Sequence, residues 1–224
     1  MSDWLVAIIG FAFFASIHSL LANHTLKRAL LHRFPLLRVW YRLIYNIIAL
    51  STLAAWALLL PVSHRAVYRI PFPFYIITIV AQAAALIAAW KTVRLFGSGR
   101  FLGTEQLKRY VRYSEIPQYF DENTRGVFIR RGLYKYVRHP LYTLSLAILI
   151  LWPVMTFWFI SVIILCALYF WIGSILEERK LVERFGDAYR EYQKQVPRII
   201  PSLTRSRTSG NVLLKDRTSG NMSR

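Results

Sequence analysis

The sequence is poor in acid, almost free of cysteine and empty of the short motifs that cradle nucleotides. One cysteine, Cys166, stands among 224 residues, so no intramolecular disulfide can form. No Gly-x-Gly-x-x-Gly, P-loop or Cys-x-x-Cys occurs, and the five histidines lack metal-ligand spacing. Soluble dinucleotide folds, P-loop enzymes, thioredoxin-type redox centres and zinc sites therefore have no written signature here. Strand-like alternation is absent too. Only 11 Asp and Glu stand against 29 Lys and Arg, a net charge of +18.

Such basicity suits nucleic acid, but its placement argues for a membrane. Hydrophobic residues make up 55% of the chain and collect into long blocks without formal charge. Trp4 to Leu21, Leu43 to Leu60 and Phe74 to Trp90 each run 17 or 18 residues. Leu141 to Leu176 is uncharged for 36 residues, interrupted at Trp152-Pro153. A bilayer core takes about 20 apolar residues per helix. The first three blocks predict spanning helices, and the fourth predicts a helical hairpin turning at Pro153 with a short first arm. The expected fold is an all-α integral membrane protein of about five transmembrane helices, with a cytoplasmic helical tail. Asp3 precedes the first block and Asn23-His24 follows it, so that block reads as a retained helix rather than a cleaved signal.

The basic residues alternate between the two sides. Segment 22–43 carries five Lys and Arg, 61–73 two, 91–140 eleven, and the region after the hairpin another eleven. The positive-inside rule then puts 22–43, 91–140 and the C-terminus in the cytoplasm, facing anionic lipid heads. The sequence divides into an N-terminal three-helix region (1–90), a region of hairpin and cytoplasmic helix (91–201) and a polar tail (202–224). In the second region Leu181, Phe185, Tyr189, Tyr192 and Val196 recur at spacings of 4, 4, 3 and 4, one face of a helix. Gly186 is placed to break that helix, with Asp187 capping a second piece. Arg-Thr-Ser-Gly-Asn occurs twice in the tail, at 207–211 and 217–221, and reads as disordered.

The polar residues that carry chemistry sit at the two ends of the hairpin. Arg-Gly-Leu-Tyr-Lys-Tyr-Val-Arg-His-Pro-Leu-Tyr (131–142) precedes it, and Glu177, Glu178 and Arg179 follow it. A hairpin turns a separation of about 38 residues into a side-by-side contact. Each piece has a plain reading alone: Arg138 as a boundary anchor, Pro140 as a first-turn residue, the tyrosines as an aromatic belt, the acids as a solvated run. Together they describe a site in which acids, a histidine and tyrosines hold a cationic or hydroxyl-rich ligand by charge-assisted hydrogen bonds. His18, inside the first apolar block, has two readings. An ionisable residue within a membrane helix suggests function; a histidine bonded to a neighbouring helix suggests packing.

Gly-Leu-Tyr-Lys-Tyr-Val-Arg-His-Pro-Leu-Tyr-Thr before a hydrophobic hairpin, then Glu-Glu-Arg-Lys-Leu-Val-Glu-Arg-Phe-Gly-Asp-Ala-Tyr-Arg-Glu-Tyr to Pro201, resembles the isoprenylcysteine carboxyl methyltransferase-like superfamily, over roughly 125–201. Ala-Ser-Ile-His-Ser-Leu-Leu-Ala-Asn-His (15–24), Arg-Leu-Phe-Gly-Ser-Gly-Arg-Phe-Leu-Gly (94–103) and Trp-Pro-Val-Met-Thr (152–156) resemble its methanethiol S-methyltransferase and NnrU-type branch. The uncharged Trp-Ile-Gly-Ser-Ile-Leu before the acidic pair departs from isoprenylcysteine enzymes, which often carry a basic residue there. The resemblance implies a cofactor, S-adenosylmethionine, bound at the cytoplasmic end of the hairpin in a bacterial inner membrane. It implies contacts from Tyr134, Arg138, His139, Tyr142, Glu177 and Glu178, with Tyr189, Tyr192 and Arg198 on a tail that closes over the cofactor. Glu178 and His18 are the candidate catalytic residues: the resemblance implies that Glu178 binds a cofactor hydroxyl or ammonium or faces the acceptor, and His18, by its place within a membrane helix, is the candidate to take the proton of a thiol. The expected partners are membrane lipids and a small or lipophilic acceptor, not nucleic acid. Two other classes stay open: a membrane reductase of the sterol-reductase type using NADPH, and a non-enzymatic NnrU-type denitrification accessory protein.

Overall fold

The computed structural model describes residues 3–59, 66–117, 127–201 and 213–215. Nine α-helices lie among them: α1 (Asp3–Ala22), α2 (His24–Arg33), α3 (Leu37–Leu59), α4 (Tyr75–Phe96), α5 (Ser98–Leu102), α6 (Thr104–Tyr113), α7 (Pro140–Ile150), α8 (Phe157–Phe185) and α9 (Asp187–Gln195). Four short strands accompany them: β1 (Ala66–Arg69), β2 (Val127–Ile129), β3 (Val154–Thr156) and β4 (Leu213–Lys215). A 3-10 turn spans Gly132–Lys135.

Among the described residues, four helices are long and apolar enough to cross a membrane: Leu5–Ala22, Leu37–Leu59, Tyr75–Leu95 and Phe157–Phe185. They show large apolar side chains outward, Phe13 at 62%, Leu58 at 86% and Ile77 at 67% exposure, as lipid-facing surfaces do. The protein is an all-α integral membrane protein. The short arm of the hairpin, α7, has 11 residues. At 1.5 Å per residue it covers about 16 Å, roughly half of a ~30 Å hydrocarbon core. The expected five helices are thus four that span and one of half length.

The chain packs as two compact units. The first comprises residues 1–64 and 93–123, the second 65–92 and 124–224. In the first, α1 lies along α3. The Trp56 indole donates to the Ala7 carbonyl at 2.9 Å and packs on Phe11 at 5.1 Å between ring centres. Asn23 caps α2, its side chain accepting from the amides of Thr25 and Leu26. Between α5 and α6 the chain turns at Gly103, with φ +92. A Cβ there would stand 2.7 Å from the Leu43 amide nitrogen, so only glycine lets this corner seat on α3.

In the second unit, backbone groups around the hairpin turn find partners on the chain before α4. β1 pairs antiparallel with β3, Ala66 opposite Thr156 and Arg69 opposite Val154. The Ile70 amide donates to the Pro153 carbonyl at 2.9 Å. The Gln82 side chain of α4 donates to the Ile148 carbonyl of α7, also at 2.9 Å. An early-ending helix leaves carbonyls that hydrocarbon cannot satisfy, and these contacts satisfy them.

α8 does not stop at the last uncharged residue. It continues through the acidic pair to Phe185, so the helix predicted from Leu181 is its last turn. Gly186, with φ +58, makes the break. Asp187 begins α9 as its first residue rather than capping it; no side chain caps that end. Phe185, Tyr189, Tyr192 and Val196 form a buried cluster, joined by Leu181 and Val182, the face that the spacing predicts. Of the polar tail 202–224, the described residues Leu213–Lys215 pair antiparallel with Val127–Ile129. The rest of that tail lies outside the described residues.

Candidate functional site

The site lies in the second unit, where the start of α7, the last third of α8 and the segment after α9 meet. Pro140 occupies the first turn of α7, where its missing N–H costs no hydrogen bond. The two residues before it are bonded through their backbones to the segment after α9. The Arg138 amide donates to the Pro197 carbonyl at 2.9 Å and the His139 amide to the Arg198 carbonyl at 3.0 Å. The Thr143 hydroxyl adds a bond to the Ile199 carbonyl at 2.6 Å. The tail therefore folds back onto the hairpin mouth.

Glu178 is the centre of this clasp, 2% exposed. Arg138 binds it with both prongs, Nε to Oε1 at 2.8 Å and Nη2 to Oε2 at 3.1 Å. His139 Nε2 lies 3.0 Å from Oε1. Gln193 donates to Oε2 at 2.8 Å. Arg198 adds two longer bonds at 3.3 and 3.2 Å. Arg138 is spent as fully, donating through Nη1 to the carbonyls of Gln193 and Val196. Four side chains from three parts of the chain thus converge on one carboxylate. Such a carboxylate has no lone pair left to offer a ligand; it fixes the shape of the site.

Glu177, one residue earlier, differs in every respect. Its side chain is 52% exposed and accepts from the Tyr142 hydroxyl at 2.8 Å. Its second oxygen lies 3.3 Å from His139 Nδ1. The two ring nitrogens of His139 thus face the two carboxylates. Its ring stacks on Tyr142 (5.3 Å, 5° between planes), and Tyr142 stacks on Phe170 (4.6 Å, 5°). Three rings thus stack in parallel, His139 at the buried clasp, then Tyr142, then Phe170. Arg198 places its guanidinium over the exposed Trp171 ring at 5.0 Å.

The structure brings Arg138, His139, Tyr142, Glu177, Glu178 and Arg198 together. Tyr189 and Tyr192 are on the neighbouring helix but point inward, each 1% exposed. Tyr192 donates to the Tyr134 carbonyl at 2.6 Å. Burial holds the phenols of Tyr134, Tyr189 and Tyr192 well above the ordinary tyrosine range, so all three stay neutral. Tyr189 and Tyr192 therefore hold the tail together from inside and offer no surface to a ligand, contrary to expectation. Gln193 and Phe170 belong to the site and carried no sequence signal, because a glutamine in a polar helix and a phenylalanine in an apolar one are ordinary. His18 belongs to the first unit. Its ring is half-buried, stacked on Phe14 at 5.7 Å, with Nε2 2.8 Å from the Tyr45 hydroxyl.

His139 carries a testable charge. Burial alone would lower its pKa, but the bonds to Glu177 and Glu178 outweigh burial and raise it above 6.5. A raised folded pKa stabilises fully below 6.5 and loses that contribution as pH rises through the folded value. Thermal stability should therefore decline as pH climbs above about 6.5. Melting curves of His139→Gln across the same range should be flatter; equal slopes would show that the imidazole is not the titrating group.

The family described as "Protein of unknown function (DUF1295)" matches residues 21–196. The chain belongs to this family. Among curated relatives of this DUF1295 member is a methanethiol S-methyltransferase of Pseudomonas deceptionensis, 43% identical over 81 residues, 36% of this chain and 31% of that protein. Methanethiol S-methyltransferase 1 of Bradyrhizobium diazoefficiens is 41% identical over 69 residues, 31% of this chain and 24% of that protein. These matches span about a quarter to a third of the length of those relatives. Methanethiol S-methyltransferase 2 of the same organism aligns more widely, 28% identical over 208 residues, 89% of this chain and 73% of that protein. No solved structure matches the DUF1295 member.

Proposed function

We propose that the protein is an S-adenosylmethionine-dependent membrane methyltransferase acting on a thiol or a small lipophilic acceptor. The observation that carries this reading is the contrast between the acidic neighbours. One is locked in a buried clasp; the other is presented, half-exposed, beside stacked aromatic rings. The names of the relatives supply the reaction class. The available groups fit the donor. Glu177 and the Tyr142 hydroxyl suit an ammonium or a ribose hydroxyl, the Phe170 ring suits a cation or a flat base, and Arg198 suits a carboxylate. When bound, the donor supplies an electrophilic sulfonium methyl. The protein's own part is to hold the reactants in line and to keep water out. Arg138 and Glu178 act as positioning residues by fixing the tail over the hairpin. Trp171, Ile172 and Leu176 are about half-exposed on α8. They form an apolar approach to the site from lipid, suited to a lipophilic acceptor.

Donor binding is the direct test. Calorimetric titration of the detergent-purified protein should show binding of S-adenosylmethionine and none of NADPH. Glu177→Gln should weaken that binding roughly ten- to a hundredfold, the worth of a charge-assisted hydrogen bond at about 1.5–3 kcal/mol, with only a small drop in melting temperature. NADPH binding without S-adenosylmethionine binding would favour a reductase; binding of neither would favour an accessory role.

The reading places the site on the cytoplasmic side of a bacterial inner membrane, because 22 of the 29 Lys and Arg fall in 91–140 and after the hairpin. A cysteine at Ser98, in a Cys166→Ser background, should resist membrane-impermeant thiol reagent in intact cells and react after permeabilisation. Ready labelling from outside would reverse the orientation.

A further inference from the structure

A second feature of the membrane boundary lies in the first unit. Along α6, Thr104, Lys108 and Arg112 recur every fourth residue and so share a face. With Gly99 of α5, and with Glu105, Arg109 and Tyr113, they line an open groove of about 320 Å³. Its charge is unbalanced. Glu105 accepts from Arg100 at 3.0 Å and from Arg109 at 3.0 Å. Among the described residues no carboxylate pairs with Lys108 or Arg112, and both are exposed.

Two independent markers set the depth of the groove. Its corner, Gly103, seats against the Leu43 amide, and Leu43 is the first residue of the uncharged run of α3. Arg42 and Asn46 of α3 donate to the Phe101 carbonyl at 3.0 and 3.1 Å, pinning α5 there. The apolar span of α4 ends at Leu95, four residues before Gly99. The groove thus opens where lipid phosphates lie. Tyr113, one of its lining residues, is 63% exposed and offers an amphipathic contact.

We infer that this groove binds the headgroup phosphate of an anionic phospholipid, held by Lys108 and Arg112. A phosphate with only hydroxyls beside it complements the surplus positive charge; a choline cation would be repelled by it. The site is independent of methyl transfer.

Native mass spectrometry of the full chain released from nanodiscs tests it, with equal phosphatidylglycerol and phosphatidylcholine. Wild type should retain phosphatidylglycerol over phosphatidylcholine. Each basic residue near an anionic surface contributes roughly fivefold in affinity, so Lys108→Gln with Arg112→Gln should lose about 25-fold. Arg131→Gln with Lys135→Gln, which removes two exposed charges of the second unit, should retain the lipid as wild type does. Equal retention in the α6 pair would overturn the site. Equal loss in both pairs would leave only diffuse attraction. Displacement by millimolar inorganic phosphate would mean a soluble anion site instead of a lipid one.

Discussion

Glu178→Gln should cost the protein about 3–5 kcal/mol and loosen the tail from the hairpin, even though the substitution keeps the size and shape of the side chain. The cost comes from what remains. Arg138, 8% exposed at its side chain, would sit buried with its principal counter-charge removed, beside His139 and Arg198. Removing one partner of a buried pair strands the other in a medium that solvates it poorly. A carboxylate that met only a ligand would behave otherwise, losing affinity and keeping the fold. Thermal unfolding in detergent separates the cases, with Glu177→Gln as the comparison that should melt much closer to wild type. Arg138→Ala made in the Glu178→Gln background should cost much less than alone, because the interaction is already gone. A Glu178→Gln protein that melts normally and fails to bind donor would return Glu178 to the ligand.

The second large effect is kinetic and concerns His18. His18→Ala should leave donor binding nearly intact and slow methyl transfer to a small thiol by about a hundred- to ten-thousandfold, the usual worth of a general base. The motivation is an ionisable ring within a spanning helix, bonded to a phenol on a neighbouring helix. With the Tyr45 hydroxyl 2.8 Å from Nε2, the imidazole has a fixed partner that can orient it. Tyr45→Phe should then show a smaller loss in the same assay, since it removes the orienting bond and keeps the ring. Single-turnover rates normalised to bound donor distinguish this from packing. If His18→Ala only lowers the melting temperature, and the normalised rate stays at the wild-type value, the histidine is structural.

Much of the architecture was legible because hydrocarbon imposes a coarse rule. Three uncharged blocks of 17 or 18 residues and one of 36 announced α1, α3, α4 and α8. Trp152-Pro153 announced the turn, and Gly186 the break. The half length of α7 was visible as a short arm. The β1–β3 pairing was hidden, since three or four residues are too few to show alternation. At the site the approach of 138–142 to 177–178 followed from the hairpin alone. The division of labour between two adjacent glutamates did not. In one dimension Glu177 and Glu178 are equivalent; on a helix they point about 100° apart. One turns to solvent and the other into Arg138, Gln193 and Arg198, residues 15 to 40 positions away. For Tyr189 and Tyr192 the helical spacing marks a face without saying what that face meets; in the structure it is the core of the tail.

The half-length α7 also dictates an order of assembly. Its Ile148 carbonyl and the extended residues beyond it are bonded to Gln82 of α4 and to β1. Both lie earlier in the chain, so both leave the ribosome first. The hairpin therefore cannot enter lipid as an autonomous insertion unit; it must be delivered against a neighbour already in place. A chain beginning after residue 123 should be stranded at the translocon or degraded, and co-synthesis of a 66–96 segment should rescue it. What is an arrangement of hydrogen bonds in the finished molecule is, during biogenesis, a timetable.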